Sequence, residues 1–326
     1  MPLKWKTVGP GAALAGAAAI AFAQAPATNL ANAWPVKTVR MIVPSSPGGG
    51  VDTLGRMFSK TFYESLGQRF VVDNRAGAGT MLGTELAARA PPDGYTLLLA
   101  SAALAVNTAL NPKLTFDPFR ELAPVAWVSS TPLILATHPS VPAKTINGLV
   151  ALAKARRGQM NGASSGNGTT SHMSVEMFKQ STGIDVTHVP YNGAAPATIA
   201  VIAGEVDFIF SNMLAVYPQA RSGRLRALAV TTARRSSAAP EIPTMGESIP
   251  GFESDNWYAF FVPAGTPREI VARLNGEALK ALKSPEIIDA MKKEGADPTG
   301  STPEELAAKL RREVDRYSKI IKTGAR

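Results

Sequence analysis

Three spacings in this 326-residue chain bring together residue types that do chemistry. Gly162-Ala163-Ser164-Ser165-Gly166 matches G-x-S-x-G, the turn that lifts a nucleophilic serine between a strand and a helix. A hydrolase of that kind needs an acid and then a histidine downstream. Only His172, on the adjoining helix, and His188, inside the next strand, follow Ser164. The serine-hydrolase reading therefore rests on Ser164 alone and is the lesser alternative. A Ser164→Ala change separates the readings, since it abolishes hydrolysis and leaves binding mostly intact. The second spacing is Pro47-Gly48-Gly49-Gly50-Val51-Asp52, between an apolar run and an amphipathic one. Glycines there let a ligand approach the backbone. The first N–H groups of the following helix have no partner within it, and the helix dipole favours an anion. Asp52 at that helix start reads first as a cap, and otherwise as an acceptor for a ligand or bridging water. The third, Gly77-x-Gly79-x-x-x-Gly83, has the look of a dinucleotide fingerprint. It sits on the second strand–helix unit, and no suitable acid ends the next strand, so a nucleotide site is not expected.

The elements that carry these loops follow from periodicity. Thr38 to Val43 reads as a strand, and Val51, Leu54, Phe58, Phe62 and Leu66 trace one face of the next helix. Strands over 69–74 and 95–101 alternate with a helix over 81–90, which predicts a parallel sheet covered on both faces. Residues 102–120 read as irregular. Residues 121–138 hold two apolar stretches broken by Ser129-Ser130-Thr131-Pro132, a strand interrupted where it would cross between domains. Met160 to Thr170 repeats the strand–small loop–helix logic, and a strand over 224–232 would return the chain to the first domain. Thr266-Pro267-Arg268-Glu269 and Thr302-Pro303-Glu304-Glu305 both spell a capped helix start, with Ser284-Pro285 between them, giving three helices that cover the first sheet. If the two halves face each other, the loops at Ser45–Asp52 and Ser164–Thr170 converge on one cleft suited to a small carboxylate.

Composition narrows the class. Hydrophobic residues make up 45% and charged ones 18%, an ordinary globular balance. Cysteine is absent, which excludes disulfides, thiolate catalysis and iron–sulfur clusters, and no cofactor is expected. Three histidines without an H-x-H or H-E-x-x-H spacing argue against zinc. The +9 charge is scattered with no basic run interleaved with aromatics, so nucleic acid is not an expected partner. Lys4 and Lys6, an apolar run over 9–23, and small-x-small sites at Ala21-Phe22-Ala23 and Ala31-Asn32-Ala33 predict a signal peptide over 1–33, cleaved near 23 or 33. Removing Lys4 and Lys6 with it leaves +7. The mature protein is expected to be soluble and exported.

The pattern is specific. Trp34-Pro35 to Val43-Pro44, Pro47-Gly48-Gly49-Gly50-x-Asp52, Val72-x-Asn74-Arg75-x-Gly77-x-Gly79, Pro92-Asp93-Gly94-Tyr95, Ser164-Ser165-Gly166-Asn167-Gly168-Thr169 with His172, His188-Val189-Pro190-Tyr191-x-Gly193 and Pro263-Ala264-Gly265-Thr266-Pro267 occur in order across nearly all of the mature chain. Together they resemble the periplasmic solute-binding receptors of tripartite tricarboxylate transporters, the Bug-type receptors. The resemblance implies an α/β, two-domain periplasmic binding protein, a type II-like flytrap with its cleft between domains at 34–131 with 235–326 and at 132–234. It implies no catalysis, a small organic acid as ligand, membrane permease subunits as partners, a periplasmic location and a monomer. Carried over, it names Ser46, Gly48, Gly49 and Asp52 from the first loop, Ser165, Asn167 and Thr169 from the second, and Ser101 and Tyr191 as walls. Ser45-Ser46 replace a bulkier residue common in such receptors, Asn192 a frequent Lys and Ser211 a frequent Asp. The smaller mouth implies room for a larger acid, aromatic ones included.

Overall fold

The computed structural model describes residues 1–4, 34–48, 50–111, 113–293 and 295–324. Most of the expected signal peptide, and Gly49, lie outside the described residues. The chain starts with β1 (Val39–Val43), α1 (Gly50–Leu66), β2 (Phe70–Asn74), a 3-10 turn (Ala78–Thr80), α2 (Met81–Ala88), β3 (Thr96–Ser101), α3 (Ala103–Leu110), α4 (Pro118–Glu121) and β4 (Leu122–Ser130). It then builds β5 (Leu133–Thr137), α5 (Ile146–Ala155), β6 (Asn161–Ser164), α6 (Thr170–Thr182), β7 (Thr187–Pro190), α7 (Ala194–Ile202), β8 (Phe208–Asn212), α8 (Met213–Arg221) and β9 (Arg226–Val230). It closes with β10 (Tyr258–Pro263), α9 (Arg268–Ala281), α10 (Pro285–Lys293), β11 (Asp297–Pro298) and α11 (Pro303–Gly324).

Two sheets result, ordered β11-β4-β10-β3-β1-β2 and β7-β6-β8-β5-β9. Each is the centre of one lobe. In the first sheet only β2, β1 and β3 run parallel; β10 pairs antiparallel with β3 and β4, and β11 with β4. The parallel arrangement expected of the first three strands is present, and the returning chain adds β10 beside β3 in the opposite direction. In the second sheet β6 is parallel to β7 and β8, and β5 is antiparallel to β8 and β9.

Both sheets are covered on two faces. On one face of the first, Val51, Leu54, Phe58 and Phe62 of α1 pack with Ile270 and Leu274 of α9 against Met41, Leu99 and Phe260. Phe58 and Phe260 meet edge to face with ring centroids 5.0 Å apart. On the other face, Leu306, Leu310 and Tyr317 of α11 pack with α3 against Leu98 and Phe261. The second sheet buries Leu149, Val175 and Phe178 on one side and Ala197, Val201 and Val216 on the other. Side chains of this size contribute about 1.5–3 kcal/mol each on full burial.

The chain passes between lobes twice, through Thr131-Pro132 and through residues 231–257. The crossings touch at a bridge between Pro132 and Asp255. The Asp255 carboxylate accepts from the Ser130 hydroxyl (2.7 Å) and the Thr131 N–H (3.3 Å) and pairs with Lys309 at 3.4 Å. The Lys309 ammonium also sits 4.1 Å from the Trp127 ring centroid.

Three readings change. Residues 102–120 are not irregular; they hold α3 and α4. Ala103 to Asn107 are all buried, so no polar face marks the helix in the sequence. The strand over 226–230 does not return the chain: it is the edge of the second sheet, paired with β5. The cap boxes differ as well. Thr302 and Glu305 exchange bonds at 3.2 and 2.8 Å as expected. Thr266 instead donates to the Pro263 carbonyl (2.7 Å), and Pro267 is the uncapped helix start. Among the described residues no helix is long and apolar enough to cross a membrane.

Candidate functional site

Five helices begin at the carboxyl ends of strands β1, β3, β6, β7 and β8, and all five starts border one cavity of about 450 Å³ between the lobes. Gly50 and Val51 of α1 and Ala103 of α3 line it from the first lobe. Thr170 and Ser171 of α6, Ala194 of α7, and Asn212 at the start of α8 line it from the second. A crevice outside the carboxyl ends of strands is where open α/β sheets bind ligands. No Lys, Arg, His, Asp or Glu is among the described residues lining this cavity. Attraction for an anion there would come from helix ends and backbone N–H groups. Gly193 starts α7 without a side-chain cap, which leaves that first turn's donors for a ligand.

The expected residues divide. Ser46, Gly48, Ser101, Ser165 and Thr169 line the cavity; Asp52, Asn167 and Tyr191 do not; Gly49 lies outside the described residues. Asp52 is buried and spent within its own lobe. It accepts from the Gly48 N–H (2.9 Å), Arg56 (3.0 Å) and Asn74 (3.0 Å). Burial works to raise its pKa, but the bonds from Arg56, the Gly48 N–H and Asn74 outweigh that and hold it below the ordinary value. Asp52 thus shapes the first loop and does not line the cavity. Asn167 is exposed and is not among the cavity's lining residues. Tyr191 packs against the apolar cluster beneath α7 and α8, and burial raises its pKa. Its neighbours Asn192 and Gly193 are the wall. Thr169 reaches the cavity, yet its hydroxyl donates to the Gly166 carbonyl (2.7 Å) and accepts from the His172 N–H (3.2 Å), which makes it the cap of α6.

Sequence reasoning placed Ser45 at the mouth of the cleft but missed Thr80, Asn212, Asn256 and Tyr258; all five are in the lining. Ser45 Oγ is buried and makes no hydrogen bond within the protein, although the residue borders the cavity. Asn212 accepts from the Ala215 N–H (2.9 Å) to cap α8. Asn256 donates to the Tyr258 hydroxyl (2.9 Å) and accepts from Thr170 (3.3 Å), so the second crossing is tied to the start of α6. Thr80 follows Ala78 and Gly79 in a run of left-handed residues (φ 47°, 62° and 85°), a strained backbone at the cavity wall.

The nucleophile motif also takes a definite place. Ser164 has no exposed surface and its hydroxyl lies 2.6 Å from His188 Nε2. The His188 ring stacks on His172 with centroids 4.3 Å apart and planes 21° apart. Burial, then His172 and Lys179, push His188 down to about 4. A serine closed to solvent beside a neutral, stacked histidine offers a substrate no approach. His172, Glu176 and His188 also bring ligating atoms within 4.8 Å of one another. Nearly parallel rings aim their in-plane lone pairs alongside each other and not at one ion. His172 Nδ1 already accepts from the Gly168 N–H (3.3 Å), and Glu176 pairs with Lys179 at 3.1 Å.

The comparisons agree on a family. The model described as tripartite tricarboxylate transporter family receptor matches residues 54–325. Protein BugT of Bordetella pertussis is 38% identical over 300 residues, covering 91% of this chain and 92% of BugT. Among solved structures, R. palustris Rpa4515 with adipate superposes with a TM-score of 0.84 at 33% identity, covering 90% of this chain and 98% of that one. MatC (Rpa3494) from Rhodopseudomonas palustris with bound malate gives 0.81 at 30% identity, covering 88% and 100%.

Proposed function

The chain belongs to the tripartite tricarboxylate transporter family of receptors, and from that premise we propose that it captures a small carboxylate in the cleft between its lobes and hands it to the membrane subunits of a transporter. The family consists of solute-binding receptors, and this protein is a receptor and not an enzyme. The observation that carries the ligand class is an uncharged cavity bordered by five helix starts. Such a site satisfies carboxylate oxygens with N–H and hydroxyl donors and needs no arginine. The acids held by the two relatives, adipate and malate, are both of this class.

In this reading Ser46, Gly48 and Gly49 hold the acid from the first lobe with Ser45 and Ser101, and Ser165 holds it from the second with Asn192, Asn212 and Asn256. Asp52 and Thr169 set the loops. The lobes follow the expected 34–131 with 235–326 and 132–234, except that Ala239, Ile242, Met245 and Phe252 pack into the second lobe's core before the chain crosses back, and the 1–33 segment exports the chain to the periplasm, where it acts as a monomer. The small Ser45-Ser46 mouth admits a larger acid, aromatic ones included; equal weakness for all large acids in a binding panel counts against that. Calorimetric titration of the ligand-free mature chain with adipate and malate, at low and high salt, tests the site. Saturable binding by one of them that changes only a few-fold with salt is expected, since no surface ion pair is screened. Loss of binding on raising the salt would instead place the acid on exposed cations elsewhere.

A further inference from the structure

Asn107 is a polar side chain on a helix that is otherwise apolar over its first turns, and it is buried. Its amide nitrogen lies 2.8 Å from the Gly79 carbonyl, 2.9 Å from the Gly168 carbonyl and 2.9 Å from the Ala103 carbonyl. Three carbonyl oxygens around one atom fix which end of the amide is nitrogen, since only nitrogen can donate. Gly79 belongs to the strained turn before α2 in the first lobe, whereas Gly168 belongs to the loop before α6 in the second. The two loops touch there: a Cβ built on Gly79 would lie 3.3 Å from the Asn167 carbonyl oxygen, and one on Gly168 only 2.5 Å from Asn107 Oδ1. Both glycines adopt left-handed backbone (φ 62° and 74°), which glycine takes up most readily.

We propose that Asn107 is a positioning residue that clamps the two cleft loops together, Ala78–Thr80 from one lobe and 166–169 from the other, in the ligand-holding arrangement. This rests on the reading of the cleft as the ligand site. Separating the lobes breaks the bond to Gly168 and leaves that to Gly79 in place, so the side chain organises its own lobe always and the other lobe only on closure. Thr80 and Thr169, at the ends of the clamped segments, are in the cavity wall. The clamp therefore acts on affinity through the closed state and touches no ligand itself.

The chain contains no cysteine, so a pair of introduced ones can carry spin labels without background. Leu82→Cys and Ile199→Cys place them at exposed positions on the helices that follow cleft loops in either lobe. Pulsed dipolar distances are then compared in the otherwise unaltered chain, in Asn107→Asp, which keeps the shape and loses the donor, and in Gly168→Ala, which attacks the clamp from the other lobe. Asn111→Ala is the control: its amide donates to the Asn107 carbonyl on the same helix. A shift toward longer distances in Asn107→Asp and Gly168→Ala but not in Asn111→Ala is expected. With whichever of adipate or malate binds, Asn107→Asp should raise the dissociation constant by about tenfold, chiefly through faster release, as for the loss of one net hydrogen bond. Distances unchanged in either folded variant, or shifted equally by the control, overturn the clamp. Failure of both acids to bind the parent chain strikes the carboxylate reading and leaves the distance result to decide the clamp.

Discussion

Gly50 opens α1 at the cavity edge, and the reason it is glycine can be measured. A Cβ there would lie 2.9 Å from the Tyr258 hydroxyl oxygen, 3.6 Å from Cζ and 4.0 Å from Cε2. Only the oxygen is too close; the ring carbons stand at ordinary contact distance. Tyr258 is buried and its hydroxyl is held by Asn256, so it has no room to swing away. Gly50→Ala should therefore cost about 1–3 kcal/mol from overpacking, offset in part by roughly 0.4–1 kcal/mol from a less flexible unfolded chain. Tyr258→Phe alone should cost about 1 kcal/mol, the net value of the lost hydrogen bond. In the Tyr258→Phe background the added methyl meets no oxygen, and Gly50→Ala should become neutral or slightly stabilising. Urea denaturation of the four proteins gives the cycle, and a favourable coupling of about 1–2 kcal/mol is expected. Additivity within roughly 0.5 kcal/mol would refute the collision and mean that α1 starts elsewhere.

Two further outcomes follow from the Ser164–His188 pair, and one from a helix cap. His188 is held neutral, with its pKa at about 4 against an ordinary 6.5, chiefly by burial. Its folded pKa is the lower one, so the unfolded chain binds the extra proton first, and stability contributed by this group falls as pH drops from about 6.5 to 4. His188→Gln should flatten the urea midpoint over that window; an equally steep profile would assign the slope to other groups. Ser164→Ala removes the 2.6 Å contact and should cost about 1–2 kcal/mol of stability while leaving acid affinity within about twofold by calorimetry. A large loss of affinity would put Ser164 in the site. Thr302→Ala breaks an observed cap and should cost about 1 kcal/mol in the same denaturation assay; no loss would mean that α11 is held by packing alone.

Much of the fold was legible because the local signals were redundant. The period of Val51, Leu54, Phe58 and Phe62 named the buried face of α1, and the small-residue loops named two of the helix starts at the cleft. Helix α3 was hidden for a physical reason. A helix buried on nearly all sides has no polar stripe, and Asn107 read as a loop residue when it is an internal donor. The site was legible as loops but less so as side chains. Asp52, Asn167 and Tyr191 sit in the right segments, yet whether a side chain turns toward a cavity depends on partners far away, such as Asn74 for Asp52. Asn192, Asn212 and Asn256 come from three separate segments whose convergence no spacing encodes. The G-x-S-x-G match misled only at the level of motif. Burial of Ser164 is a property of the packed lobe.

The central claim is that the cavity recognises the carboxylate group through neutral donors. The most direct test is thermal unfolding of the mature, ligand-free protein with adipate, malate and aromatic acids, each beside its uncharged amide. A ligand at about a hundred times its dissociation constant adds roughly 2.7 kcal/mol, which for a chain of this length raises the midpoint by several degrees. Such a rise is expected with one chemical group of acids and none with the matching amides. Equal rises with acid and amide, or no rise with any acid in a well-folded sample, would contradict it.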